Sequence, residues 1–297
     1  MGNVNARDPD YWNVPDDPGI RHTDWMKKLP DSMSVSKVSI PGTHDTMARA
    51  GDIIWSWCQS LSLSIQLKIG IRFFDIRCRH FKNGLPIHHG QFYEHCSFTD
   101  VMNTMTSFVK SHPSEVLLVR VKEEYKAAEC TRTFCETVWL TLQNYRENIW
   151  LEENIPFIKE VRGKIIILRD FKRENNPIGI PYATLDIEDY WKASSYKEKW
   201  RRVKAHLDNT RSTTNNIIHL TFNSCTKGID APREIARSLN PKLYKYVRSN
   251  QGQGRFGIIA IDYPGPKLVE YIIENNFKTN VNVYQKNNSV FSQCALL

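Results

Sequence analysis

Short apolar runs alternate along this chain with longer stretches in which apolar positions recur at helical spacing. Residues 38–40, 71–76, 85–87, 116–121, 164–168, 217–222 and 256–261 read as strands, with a weaker candidate at 184–187. Between them, 99–111 puts Val101, Met102, Met105, Phe108 and Val109 on one helical face, and 130–145 and 194–207 are further helix candidates. Residues 266–275 open with Pro266, which suits a first helical turn because its missing N–H has no partner to lose there. Such alternation predicts an α/β protein with parallel strands and crossover helices. A single TIM-type (β/α) barrel, irregular or incompletely closed, fits better than a doubly wound sheet. No GxGxxG follows the first strand, and charged residues end many strands rather than two neighbours. Residues 1–20, rich in Pro, Asp and Asn, read as a loose lead-in. Residues 21–277 read as the barrel domain, and 278–297, rich in Asn, Gln and Ser, as a flexible tail.

The strand ends carry the chemistry. Val38 and Ile40 lead into His44 and Asp45; Ile71, Phe73 and Phe74 into Asp75 and Arg77; Leu85 and Ile87 into His88 and His89. A buried strand that delivers titratable side chains at its C-terminal end is how a β/α barrel builds an active site. Histidines, aspartates and an arginine gathered this way suit phosphoryl chemistry. One imidazole takes a proton, another gives one, and a guanidinium fork holds a phosphate oxygen between them. Side chains alternate along a strand, so only one of His88 and His89 can face the mouth.

Composition narrows the class. The 297 residues are 41% hydrophobic, enough to bury a large core, and this excludes a disordered chain. Lys and Arg number 40 against 32 Asp and Glu, a formal charge of +8 that favours an anionic partner such as an acidic membrane or a phosphorylated substrate. The N-terminus lacks the apolar segment of a secretory signal, and no apolar run reaches the ~18 residues of a membrane span. The 7 cysteines form no CxxC pair, so reduced thiols in the cytoplasm are expected. His80, His88, His89 and His95 lack the thiolate pairs of a structural zinc site, and HExxH is absent; no metal and no cofactor are expected.

The segments Ser39-Ile40-Pro41-Gly42-Thr43-His44-Asp45, Phe73-Phe74-Asp75-Ile76-Arg77 and Ile87-His88-His89-Gly90, in that order, resemble the X domain of phosphatidylinositol-specific phospholipases C. The likeness is greatest to the single-domain bacterial type and its animal relatives. It extends from about Trp25 to about Phe277, through Lys122-Glu123-Glu124-Tyr125, Gly163-Lys164-Ile165 and Ile261-Asp262-Tyr263. The resemblance implies that His44 is the general base and that Asp262 fixes its tautomer. It implies a phosphate contact for Arg77, and a general acid, His89, that works with Asp45. Asp75, two residues away on the same strand face, can orient the Arg77 fork. Relatives that use calcium put a carboxylate near the Arg77 position, so the guanidinium implies metal-independent chemistry. Lys122 with its orienting Glu124, Arg169, and the pair Asp189 and Trp191 match substrate-contacting positions of the family. Two departures stand out: Glu123 replaces a second basic residue of the bacterial pattern, and Trp191 replaces a tyrosine.

Ile53, Ile54, Trp55 and Trp57 follow the His44 loop, and the resemblance implies a segment there that dips into the membrane. The chain ends Cys294-Ala295-Leu296-Leu297, a C-a-a-X pattern that marks Cys294 for a geranylgeranyl group. The reading is therefore a monomeric, cytoplasmic, peripherally membrane-attached phosphodiesterase. It cleaves phosphatidylinositol to diacylglycerol and a cyclic inositol phosphate, with no nucleic acid and no obligate protein partner. The alternatives are a phosphodiesterase for another lipid head group and a lipid-binding module with a decayed site. The complete set of His44, Asp45, Arg77, His89 and Asp262 weighs against decay.

Overall fold

The computed structural model describes residues 10–12, 17–51, 53 and 56–278. In chain order the strands are β1 (Ile40–Thr43), β2 (Phe73–Cys78), β3 (Pro86–His89), β4 (Phe92–Ser97), β5 (Val116–Glu123), β6 (Ile149–Trp150), β7 (Lys164–Asp170), β8 (Ile180–Pro181), β9 (Asp186–Glu188), β10 (His219–Phe222) and β11 (Ile258–Ile261). The helices are α1 (Leu63–Ile69), α2 (Phe98–Ser111), α3 (Phe134–Gln143), α4 (Ile158–Val161), α5 (Tyr196–Ser212), α6 (Pro232–Ser249) and α7 (Pro266–Glu274). The sheet runs β6-β7-β5-β2-β1-β11-β10-β9, with every neighbouring pair parallel. β8 continues the β7 edge beyond β6. No ladder joins that edge to β9 among the described residues, so the β/α barrel is open on one side.

Strands covered on both faces need apolar side chains on both. Val116 to Val119 of β5 and Ile165 to Leu168 of β7 are all 0% exposed, which is why these strands read as unbroken apolar runs. α2 starts where Ser97 Oγ accepts from the Asp100 amide and the Asp100 carboxylate accepts from the Ser97 amide. Its Val101, Met102, Met105 and Val109 are buried, each contributing about 1.5–3 kcal/mol. At the N-terminal end of the barrel, Arg72 pairs with Glu115 at 2.7 Å and donates to the carbonyls of His22, Thr23, Leu67 and Ile71. No guanidinium N–H is left unpaired, the condition under which a fully buried cation is tolerated.

The 85–87 run, which its apolar pattern assigns to the barrel wall, instead forms β3 of an antiparallel hairpin with β4 and meets β2 at Cys78↔Ile87. β4 hides from a pattern search because Glu94 is its buried residue while Tyr93 and His95 are exposed. β1 lies later than 38–40, and α6 escapes the pattern because Pro241 stands inside it. Trp12, within the lead-in, is 3% exposed and bridges to Pro264, so this part of the segment packs on the barrel. No helix among the described residues is long and apolar enough to cross a membrane.

Candidate active site

β1 lies between β2 and β11, so the residues after β1 and β11 and those ending β2 converge at the C-terminal mouth. Gly42 permits the close approach of β1 to β2: a Cβ there would sit 2.6 Å from Phe73 Cδ1. Gln59 Nε2 donates to the carbonyls of His44 at 2.7 Å and Ile261 at 3.1 Å, tying the ends of β1 and β11 together. From below, Asn240 Nδ2 donates to the carbonyls of Asp262 and Tyr263, and Asn223 Nδ2 donates to Asn240 Oδ1. His44 and Asp262 are thus held by buried amides as well as by strand ends.

His44 Nδ1 lies 2.8 Å from Asp262 Oδ1, and His44 Nε2 lies 2.8 Å from Arg77 Nη2. A guanidinium has no acceptor, so Nε2 must accept and the proton sits on Nδ1, facing the carboxylate. The ring is in its base form. Burial most strongly disfavours its cation, but the charge and hydrogen bond of Asp262, together with the Asp75 charge, hold the His44 pKa above the ordinary imidazole value. Burial likewise lifts Asp262, which depends on the facing ring for its ionised form. Arg77 Nε and Nη2 both donate to Asp75 Oδ2, at 3.1 and 2.9 Å. Burial works against the guanidinium, yet Asp75, Asp45 and Glu124 together raise its pKa well above normal.

Asp45 sits in the left-handed region at φ 39°, where its amide donates to Asp75 Oδ2. Its Oδ2 is 3.5 Å from His89 Nε2 and 3.4 Å from Arg77 Nη1. Lys122 Nζ donates to Glu124 Oε2 at 2.9 Å, and Glu124 Oε1 accepts from the Gly90 amide after His89. These groups open on a cavity of about 510 Å³ whose lining includes His44, Arg77, His89, Arg120, Asp189 and Trp191. Arg120 is the residue the sequence reading misses: it bridges Asp75 and Asp170 and lies 4.3 Å from the Tyr182 ring. A lone cation inside the apolar run of β5 was the available signal. Glu94 is a second such residue, accepting from the amides of Arg49, Ala50 and Gly51 and so pinning the loop after β1.

The structure does not bring Arg169 to the cavity. Arg120 and Lys122 face it from β5, and their register partners on β7 are Leu168 and Asp170. Arg169 therefore points to the other face, where it meets Glu153 at 3.3 Å. His88 is buried against Tyr93, as strand alternation requires if His89 faces the mouth. Trp57 is half-buried against the Trp12, Ala236 and Tyr263 cluster, and its Nε1 donates to the Gly51 carbonyl, so it is a packing residue rather than a free anchor. Ile53 is 39% exposed. Ile54, Trp55 and Cys294 lie outside the described residues. Ile229, between β10 and α6, is 99% exposed on a rim loop whose Thr226 lines the cavity.

An open β/α barrel with a histidine base, an anchored arginine and a second histidine at its mouth has the equipment for acid–base chemistry on an anion. Residues 33–170 match the family described as phosphatidylinositol-specific phospholipase C, X domain. The chain is 30% identical over 288 residues to the 1-phosphatidylinositol phosphodiesterase of Listeria monocytogenes, covering 89% of this chain and 88% of that one. It is 26% identical over 296 residues to the enzyme of the same name from Staphylococcus aureus, covering 85% and 93%. The solved structure of the phosphatidylinositol-specific phospholipase C from Listeria monocytogenes superposes with a TM-score of 0.75 at 28% identity, over 86% of this chain and 99% of that one. This chain belongs to the phosphatidylinositol-specific phospholipase C X-domain family.

Proposed function

We propose that this protein is a phosphodiesterase that cleaves phosphatidylinositol by two-histidine acid–base catalysis without a metal. The observation that carries the reading is His44, held in its base tautomer between Asp262 and Arg77. His44 Nε2 takes the proton of the inositol 2-hydroxyl, and that oxygen attacks the neighbouring phosphorus. The substrate hydroxyl displaces Arg77 from Nε2, which frees Nη2 for a phosphoryl oxygen. As the bond from phosphorus to the glyceride oxygen breaks, His89, aided by Asp45, gives that oxygen a proton. Diacylglycerol leaves and a cyclic inositol phosphate remains; water opens it when the histidines act in the reverse sense. The His89–Asp45 separation of 3.5 Å suits a pair that tightens only with substrate in place.

Lys122, Asp189 and Trp191 are the substrate contacts in this reading, with Trp191 as a stacking platform for the inositol ring. Arg77 supplies the charge that calcium would otherwise supply. Among the described residues, the groups that approach one another closely enough at the mouth to share an ion, His44, Cys58 and Asp262 or Asp45, Cys58 and His89, each include a thiol, which is not a calcium ligand. Attachment to the membrane surface is assigned to the rim through Ile53 and Ile229, with a prenyl group on Cys294 as the second anchor of a cytoplasmic protein. Phosphorus NMR of phosphatidylinositol vesicles treated with the protein tests the reaction: a cyclic phosphodiester must appear ahead of any monoester.

A further inference from the structure

Asp186 opens β9 and His219 opens β10, and the two are register partners at the end of the barrel opposite the catalytic mouth. His206 reaches them from α5. One donor atom from each residue lies within 4.8 Å of the other two. His219 Nδ1 is 2.9 Å from Asp186 Oδ2, and His206 Nε2 is 3.4 Å from Asp186 Oδ1. Both nitrogens are shut off from solvent, and neither makes a hydrogen bond. His219 itself is 1% exposed.

The tautomer of His219 follows from its neighbours. Arg255 Nη2 donates to Asn215 Oδ1 at 2.7 Å, which fixes that atom as an oxygen. His219 Nε2 lies 3.0 Å from the same oxygen and therefore carries the proton. With the proton on Nε2, Nδ1 turns its lone pair to a carboxylate oxygen with which it makes no hydrogen bond, and two electron-rich atoms confront each other in a buried site. A cation between them removes the conflict. Donor atoms around four-coordinate zinc stand roughly 3.3 Å apart, close to the separations here. Each ring also has its second nitrogen anchored, His206 Nδ1 by Thr221 Oγ1 at 2.8 Å and His219 Nε2 by Asn215, as metal-binding histidines require.

We propose that Asp186, His206 and His219 bind a divalent transition-metal ion of the zinc class, with water completing the coordination on the open side of Asp186. The site takes no part in the chemistry at the mouth. It clips β9, an edge strand of the open barrel, to β10 and α5. These ligands come from separate elements with no motif spacing, so a sequence search for zinc sites passes over them.

Equilibrium dialysis of the full chain against Zn²⁺, with Co²⁺ as a coloured substitute, tests the proposal. The expected result is one ion per chain, a visible Co²⁺ spectrum of a four-coordinate site, and binding weakened by at least ~10-fold in His206→Gln and in Asp186→Asn. Zinc should raise the melting temperature of the wild type and not that of His206→Gln. Hydrolysis at the mouth should be unchanged in both variants. Failure of either ion to bind saturably overturns the proposal, and so does wild-type affinity in both variants, which would put the ion elsewhere, for example beside Cys58.

Discussion

Arg77 Nη2 donates to His44 Nε2 at 2.8 Å, so the proposed base and the proposed phosphate-binding cation hold each other in place. The same contact leaves unprotonated the nitrogen that accepts the hydroxyl proton in the proposed mechanism. Asp262 on the far side of the ring raises its basicity, while Arg77 lowers it. The base is poised between two opposite charges.

Opposite pH shifts follow. The acid limb of kcat/KM reports uptake of a proton by His44 and should lie above the ordinary imidazole value of 6.5. Asp262→Asn removes the charge that raises the pKa, so the limb moves to lower pH. Arg77→Ala removes one that lowers it, so the limb moves up. Both variants also lose plateau activity, by about 10²-fold or more. Limbs that move in the same direction would show that these charges do not set the His44 titration.

The two histidines should separate by leaving group. His44→Ala and His89→Ala each lower turnover by at least ~10²-fold on phosphatidylinositol. A substrate whose leaving group needs no proton should restore much of the rate to His89→Ala and none to His44→Ala. His88→Ala, altering a ring packed on Tyr93, should keep most of its activity. Equal rescue of His44→Ala and His89→Ala would exchange or merge the assigned roles.

Asp75 is the buried counter-charge to Arg77 and Arg120, and their fields outweigh burial to hold its pKa well below the ordinary 3.8. A depressed carboxylate stabilises the fold above its unfolded pKa, and that contribution is lost as pH falls below about 4. Asp75→Asn removes the buried carboxylate that the two cations share, leaving Arg120 to Asp170 and Arg77 to Asp45 and Glu124, and should cost about 3 kcal/mol. Urea unfolding at pH 7 and pH 3 checks this: the gap between wild type and variant should narrow at the lower pH.

Ile229→Asp should weaken binding to phosphatidylinositol vesicles and leave hydrolysis of a soluble inositol phosphodiester nearly unchanged, because the side chain is 99% exposed. Co-sedimentation with vesicles measures the first and a soluble assay the second. Unchanged sedimentation would remove this loop from the membrane-facing rim.

The barrel was legible because β5 and β7 are buried on both faces and α2 carries a clear apolar stripe with its own capping box. The mouth was legible because His44, Arg77 and Asp262 stand at or just beyond the ends of apolar strands. The residues that hold the mouth were not. Gln59 and Asn240 act through amide contacts across 202 and 22 residues of chain, and a polar residue in a loop or helix gives no hint of such a partner. Arg169 shows the limit of matching by segment: one position along β7 exchanges the cavity face for the outer face, and Asp170 has the inward place. The 85–87 run was read as barrel wall, although it forms β3 of an antiparallel hairpin, because an apolar run records burial and says nothing about strand direction.

The most direct test is the initial rate on phosphatidylinositol vesicles with and without a calcium chelator, with His44→Ala as the blank. The rate should stay within about two-fold in chelator and fall at least ~10²-fold in the blank. Activity lost in chelator and restored by calcium, or a His44→Ala rate equal to the wild type, would contradict it.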